Sequence, residues 1–164
     1  MIAIVQLDLH DATHAAALLE LLDHYAEEPM GGGTPIATTV RAELIEALKQ
    51  ESHYLGLLAF DGERPVGLAN CFLGFSTFAA RPLLNIHDLV VHKDVRRTGV
   101  ARRLLDAAAD AARARGCCKL TLEVLSENQP ALAAYSAAGF ERFMLDPRSG
   151  HALFLQKKLS SGIE

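Results

Sequence analysis

Apolar positions recur at two different periods along this chain, and each change of period marks a change of element. Ile2 to Leu9 alternates loosely and is β-branched at Ile2, Ile4 and Val5, which predicts a first strand. The period then becomes helical. In ATHAAALLELLDHYAEE, Leu18, Leu21, Leu22 and Tyr25 share one face, and Asp11 or Thr13 stands where an N-cap is needed. The stretch Pro29 to Pro35, PMGGGTP, breaks that helix. A second helix is predicted through Glu51, capped by Thr38 or Thr39, with Val40, Leu44, Ile45 and Leu48 inward. His53–Phe60 and Pro65–Phe75 read as two strands joined by a tight hairpin turn at Asp61-Gly62, and residues 76–82 lead onward.

The strongest pattern lies from Leu84 to Gly116: a buried strand, a short basic loop, and a helix opening after Gly99 and stopping at Gly116. Val100, Leu104, Leu105, Ala108 and Ala112 form that helix's buried stripe, and Arg102, Arg103, Arg113 and Arg115 fall mainly on its wet side. Cys118 to Leu125 is a further strand. Strand, helix and strand make a βαβ unit, which requires two parallel strands. Asn128 caps a short helix with Pro130 in its first turn, closed at Gly139-Phe140, and two last strands are expected near 140–145 and 151–158. The expectation is a single α/β domain over residues 1–164, with a mixed, mostly antiparallel sheet and helices on both faces.

Composition adjusts this picture in three places. A chain of 164 residues, half of them hydrophobic, can bury roughly two thirds of its unfolded surface. No apolar run approaches the ~20 residues of a membrane span, and MIAIVQLDLH has neither basic leader nor cleavage site, so a cytoplasmic protein without membrane partner is expected. Cys71, Cys117 and Cys118 show no CxxC and no metal-like spacing with the histidines; reduced thiols and no metal are expected, and His10 and His14 are read as surface residues. Charge is uneven: residues 1–92 carry a net −8 and residues 93–164 a net +4. That suits a cation arriving from one side and an anion from the other, or is simply a solvated surface. The basic half is too weak and too poor in aromatics to favour nucleic acid.

The loop before the long helix is the candidate anion site, since a helix start offers free N–H groups and a positive dipole end. A P-loop is excluded, because no Gly-Lys-Ser/Thr follows the glycines at 31–33, and a Rossmann turn is missing too. RRTGVA at 96–101 matches an Arg/Gln-x-x-Gly-x-Gly/Ala signature. Asn128, Ala131, Tyr135, Gly139 and Phe140 match Asn-x-x-Ala-x-x-x-Tyr-x-x-x-Gly-Phe. Together, in this order and on these elements, they resemble the GCN5-related N-acetyltransferase (GNAT) superfamily, closest in pattern to its diamine (spermidine/spermine-type) members.

That resemblance implies a GNAT fold whose parallel pair splays apart to hold acetyl-CoA. Arg96, Arg97, Thr98, Gly99, Val100 and Ala101 would wrap the pyrophosphate, mostly through main-chain N–H groups. Arg97 stands where the family often has glycine, and Ala101 replaces the commoner second glycine. Main-chain groups of Leu89, Val90 and Val91 would hold the pantetheine and polarise the acetyl carbonyl, and Asn128 would contact the cofactor arm. Tyr135 matches the tyrosine that protonates the leaving thiolate. The diamine enzymes carry Glu-Asp just before the cofactor strand, where this chain has His87-Asp88. His87 is therefore the candidate base, or else shapes the substrate site. Strand alternation would turn Asp88 away from it, unless a bulge intervenes. Tyr25, Glu27, Glu28, Phe75, Ser76 and Asp88 are candidate substrate contacts. The implied activity is direct acetyl transfer to a primary amine of a small molecule such as a polyamine, a diamine or an amino-acid-like amine. A protein lysine or N-terminal acetyltransferase, or a non-catalytic acyl-CoA sensor, are the alternatives. A homodimer is what the diamine-type resemblance suggests.

Overall fold

The computed structural model describes residues 1–150 and 152–159. Five strands form one sheet in the order β1 (Ile2–Gln6), β2 (Tyr54–Asp61), β3 (Arg64–Ser76), β4 (Arg81–Val91), β5 (Leu120–Leu122). All neighbours are antiparallel except β4 and β5, which run parallel as the βαβ pattern requires. α1 (Ala12–Ala26) and α2 (Thr38–Gln50) lie between β1 and β2, α3 (Val100–Ala114) lies between β4 and β5, and α4 (Gln129–Ala137) follows β5.

Each sheet face is covered because its apolar residues alternate along the strands. On one face Leu58, Leu68 and Val90 meet Leu18 and Leu21 of α1 and Leu48 of α2. On the other, Leu57, Ala59, Ala69 and Ile86 meet the stripe Val100, Leu104, Leu105, Ala108 and Ala112 of α3, all five of them buried as the helical period predicts. Burial of a leucine of this kind contributes roughly 1.5–3 kcal/mol. Gly67 makes the close approach of α3 possible: a Cβ there would meet Leu104 Cδ1 and Val100 Cγ1 at 2.9 Å and the Val90 carbonyl oxygen at 3.2 Å.

The structure differs from the sequence expectations in several places. Asp11 caps α1, accepting from the Thr13 and His14 N–H groups, but α2 starts at Thr38 after Ala37, with no side-chain cap. His14 is half-buried rather than on the surface: its Nδ1 accepts from the Asp8 N–H at 3.1 Å and its ring faces Phe60. β5 is far shorter than Cys118–Leu125. Residues 141–145 and 152–159 form no strand, and residue 151 lies outside the described ones. Asp146 accepts from the Arg148 N–H and Pro147 opens a 3-10 turn, so the chain bends between the two segments. Phe143, Met144, Leu145, Leu153, Phe154 and Leu155 remain exposed.

Candidate active site

Two features of β4 create the site. The first is its free edge. β5 pairs only with Leu84, Asn85 and Ile86, pinned by Asn85 Nδ2 donating to Thr121 Oγ1 at 3.1 Å. From His87 to Val91, therefore, no described strand lies along the β5 side of β4, and main-chain polar groups on that side, apart from the Val91 carbonyl that Arg96 takes, are open to a ligand. Leu89 and Val91 pack toward α3, whereas Val90 packs toward α1.

The second feature is a bulge. Asp88 pairs with Asn70 and Ile86 with Cys71, so two residues of β3 span three of β4 and His87 has no partner in the ladder. This overturns simple alternation. Asp88 accepts at Oδ2 from Asn70 Nδ2 at 3.0 Å, while the exposed His87 ring stands edge-on to Phe72 at 5.7 Å. Asn70 and Phe72 are two apart on β3 and share a face, so His87 and Asp88 face the α1 side together. No hydrogen bond joins them among the described residues, and Asp88 does not orient His87.

Across the opening sits the start of α3. Its N-cap is Gly99 at φ +89°, without side-chain cap, and Arg97 before it also lies in the left-handed region at φ +65°. Among the described residues, the N–H groups of residues 97–102 meet no protein acceptor. Nothing lies within 4 Å of the space a Gly99 Cβ would fill. An open cradle of unpaired donors at a positive helix end fits a pyrophosphate group well. Thr98 is turned inward, its hydroxyl donating to the Val95 carbonyl at 2.6 Å. Arg96 donates from Nε to the Val91 carbonyl at 3.3 Å and pairs with Glu28.

Glu28 thus faces the loop. Beside it His24 stacks on His92 at 4.2 Å, and His24 Nε2 accepts from the Lys93 N–H at 3.2 Å. Burial, with the neighbouring His92, pushes the His24 pKa below its ordinary value, so His24 is neutral in this cluster.

Tyr135 lies half-buried on α4, against Phe140. Asn128 caps that helix through Oδ1 to the Ala131 N–H at 3.3 Å, and Arg102 of α3 donates to the Ala137 carbonyl at 2.9 Å, tying α4 to α3. Burial, and next the charge of Tyr25, raise the Tyr135 pKa. Burial and then the Asp88 charge do the same for Tyr25, whose hydroxyl donates to the Met30 carbonyl at 3.2 Å. Tyr25 is therefore within electrostatic reach of both Asp88 and Tyr135. Phe75 and Ser76 are not brought to this group. They pair with Pro82 and Arg81 at the hairpin end, with Phe75 roughly 16 Å along β3 from Asn70. Glu27 ends α1 as its C-cap. Burial pushes the Cys71 thiol up to about 12, a core thiol rather than a nucleophile.

The sequence reading passed over Tyr54, Asn70, His24 and His92. Asn70 had a visible signal, a lone amide in the apolar run LANCF; the stacked histidines, distant in sequence, had none. Among the described residues no cluster of His, Cys, Asp and Glu is placed to hold a metal, and no helix is long and apolar enough to cross a membrane.

Comparison with known proteins agrees with this geometry. The profile of the acetyltransferase (GNAT) family matches residues 15–140. The chain is 29% identical over 127 residues to thialysine N-epsilon-acetyltransferase of Caenorhabditis elegans, covering 77% of each. Its fold matches that of an aminoglycoside acetyltransferase from an uncultured soil metagenomic sample, with TM-score 0.76, 20% identity and coverage of 98% and 99% of the two chains. It also matches AAC(6')-Iy in complex with the bisubstrate analog CoA-S-monomethyl-acetylneamine, with TM-score 0.74, 18% identity and coverage of 97% and 99%. A profile match over most of the chain, on a mixed sheet whose parallel pair opens beside an uncapped helix, leads to one conclusion: the chain belongs to the acetyltransferase (GNAT) family and is an N-acetyltransferase.

Proposed function

We propose that the protein transfers acetyl from acetyl-CoA directly to a primary amine of a small molecule, of the diamine, polyamine or amino-acid-like kind. The observation that carries this reading is the free β4 edge from His87 to Val91 together with the donor cradle at the start of α3. The thialysine relative and the aminoglycoside enzymes, both named for small-molecule substrates, support an acceptor of that class.

Acetyl-CoA supplies a thioester carbonyl that an amine can attack. The rest falls to this chain. Main-chain N–H groups of residues 97–101 and the Arg97 guanidinium hold the pyrophosphate, while Arg96 stays on Glu28 and the Val91 carbonyl. Main-chain donors on Leu89–Val91 polarise the carbonyl, a contribution of roughly 3–4 kcal/mol for one well-aimed donor. The amine loses a proton to His87, directly or through water, as its lone pair forms the C–N bond. Tyr135 gives its proton to the sulfur as the C–S bond breaks. Burial keeps that phenol protonated at neutral pH, as a proton donor requires.

Coenzyme A release over a panel of diamines, polyamines, amino acids, aminoglycosides and peptides tests the reading. Turnover with a small amine is expected; tight acetyl-CoA binding without turnover defeats it in favour of a sensor. Tyr135→Phe should lower kcat by roughly 10²–10⁴-fold. His87→Ala should lose the acidic limb of the pH–rate profile, and keeping that limb would clear His87 of the base role.

A further inference from the structure

The bulge leaves two adjacent polar residues on one face, yet the sheet treats them very differently. His87 stands outside the ladder with the Phe72 ring edge-on to its own. Asp88 sits in a row that crosses three strands, Gly56 on β2, Asn70 on β3 and Asp88 on β4. Asn70 is 4% exposed, the one buried polar residue among the described ones, and it fills both ends of its amide in this row. Tyr54 donates its hydroxyl to Asn70 Oδ1 at 2.8 Å, and Asn70 Nδ2 donates to Asp88 Oδ2 at 3.0 Å. The direction is fixed by chemistry. An ionised carboxylate only accepts, so Nδ2 must face Asp88, and Oδ1 is left for a group that donates.

Tyr54 reaches the amide by lying over Gly56. A Cβ on Gly56 would stand 2.5 Å from the tyrosine oxygen, so that space belongs to the hydroxyl. Burial pushes the Tyr54 phenol well above its ordinary value, which keeps it a donor across the neutral range. At the far end Asp88 is only half-buried, and no described donor reaches its Oδ1. Tyr25 lies within electrostatic reach of the same carboxylate. Packing alone would be served as well by three apolar side chains. The row instead ties one carboxylate oxygen and leaves the other toward the α1 side of the opening.

We propose that Tyr54 and Asn70 are positioning residues that fix the Asp88 carboxylate, so that Oδ1 is the anionic contact for an ammonium group of the acceptor. The inference rests on the acetyl-transfer reading and narrows its substrates to amines that arrive as cations.

The test is calorimetric binding of four probes, 1,5-diaminopentane, spermidine, L-lysine and neamine, to the protein saturated with coenzyme A. Steady-state kinetics run beside it. For the best-binding probe, Tyr54→Phe should weaken binding and raise the amine KM by about tenfold, with kcat and acetyl-CoA affinity within about twofold of wild type. Asn70→Ala should act in the same direction, and a circular dichroism melt identifies variants that fail to fold. In an Asp88→Asn background Tyr54→Phe should change amine binding by less than about twofold, because the group it positions has lost its charge. A purely structural tyrosine would give the same loss in both backgrounds, and that result overturns the proposal, as does a Tyr54→Phe protein that binds every probe as wild type does. Absence of binding by all four probes overturns it too. Wild-type turnover with a Tyr54-independent acceptor site defeats the positioning role alone. Tyr54-dependent binding with no turnover defeats the transfer reading alone.

Discussion

Two helix starts in this molecule are built in opposite ways. At α1, Asp11 closes the end, its carboxylate taking the Thr13 and His14 N–H groups. At α3, the cap position is a left-handed glycine, and the N–H groups of residues 97–102 are left without a described acceptor. The first arrangement satisfies the helix from within, and the second leaves its donors open to solvent or to an anion. A missing cap is not sufficient by itself. α2 also begins without one, after Ala37, but has neither a left-handed turn nor paired arginines before it. What distinguishes α3 is the combination of orphan donors, an open side and positive charge.

The comparison can be broken most strongly by giving α3 the cap it lacks. Gly99→Asp places a carboxylate among those donors and a side chain at φ +89°; acetyl-CoA affinity should fall by at least about 100-fold, read by titration calorimetry. Retained affinity would mean that the cradle is not the phosphate site. Arg97→Gly relieves a left-handed arginine and should stabilise the fold by about 1 kcal/mol in chemical denaturation, while acetyl-CoA affinity drops several-fold. The smallest effect is at the capped end. Asp11→Ala should lower the thermal midpoint by a few degrees and leave acetyl-CoA affinity unchanged. The Thr13 and His14 N–H groups hold the Asp11 carboxyl below its ordinary 3.8. Its contribution is therefore present above that pH and lost as pH falls through the lower folded value, and Asp11→Ala should match wild type in stability only at that acid extreme.

These elements also show what the sequence makes legible. The α3 stripe, the parallel pair and the Asp11 and Asn128 caps follow from local periodicity and spacing, and the structure contains all of them. The bulge at His87 does not follow. One unpaired residue reverses the face of everything on one side of it, and no local residue type signals it. The Tyr54–Asn70–Asp88 row depends on the register of three strands, which alternation alone does not set. A strand needs an edge to pair with, and β5 offers three residues, so the strands expected near 140–145 and 151–158 are absent among the described residues. Resemblance of motif marked residues 96–101 as the candidate cofactor loop; where Glu28 goes, onto Arg96, needed the path of α1.

Gly67 connects these parts through a dimension rather than a contact. It lies between the first turn of α3 and the Val90 carbonyl, and an added methyl group would press on both. The thickness of backbone at this point fixes how far the donor cradle stands from the free edge of β4. A ligand anchored by its phosphates and reacting at its other end has a set length, so the gap acts as a gauge for it. Even one extra carbon atom at Gly67 would press on Val100 and on the Val90 carbonyl and so reset that gap, with every polar group of the site left in place.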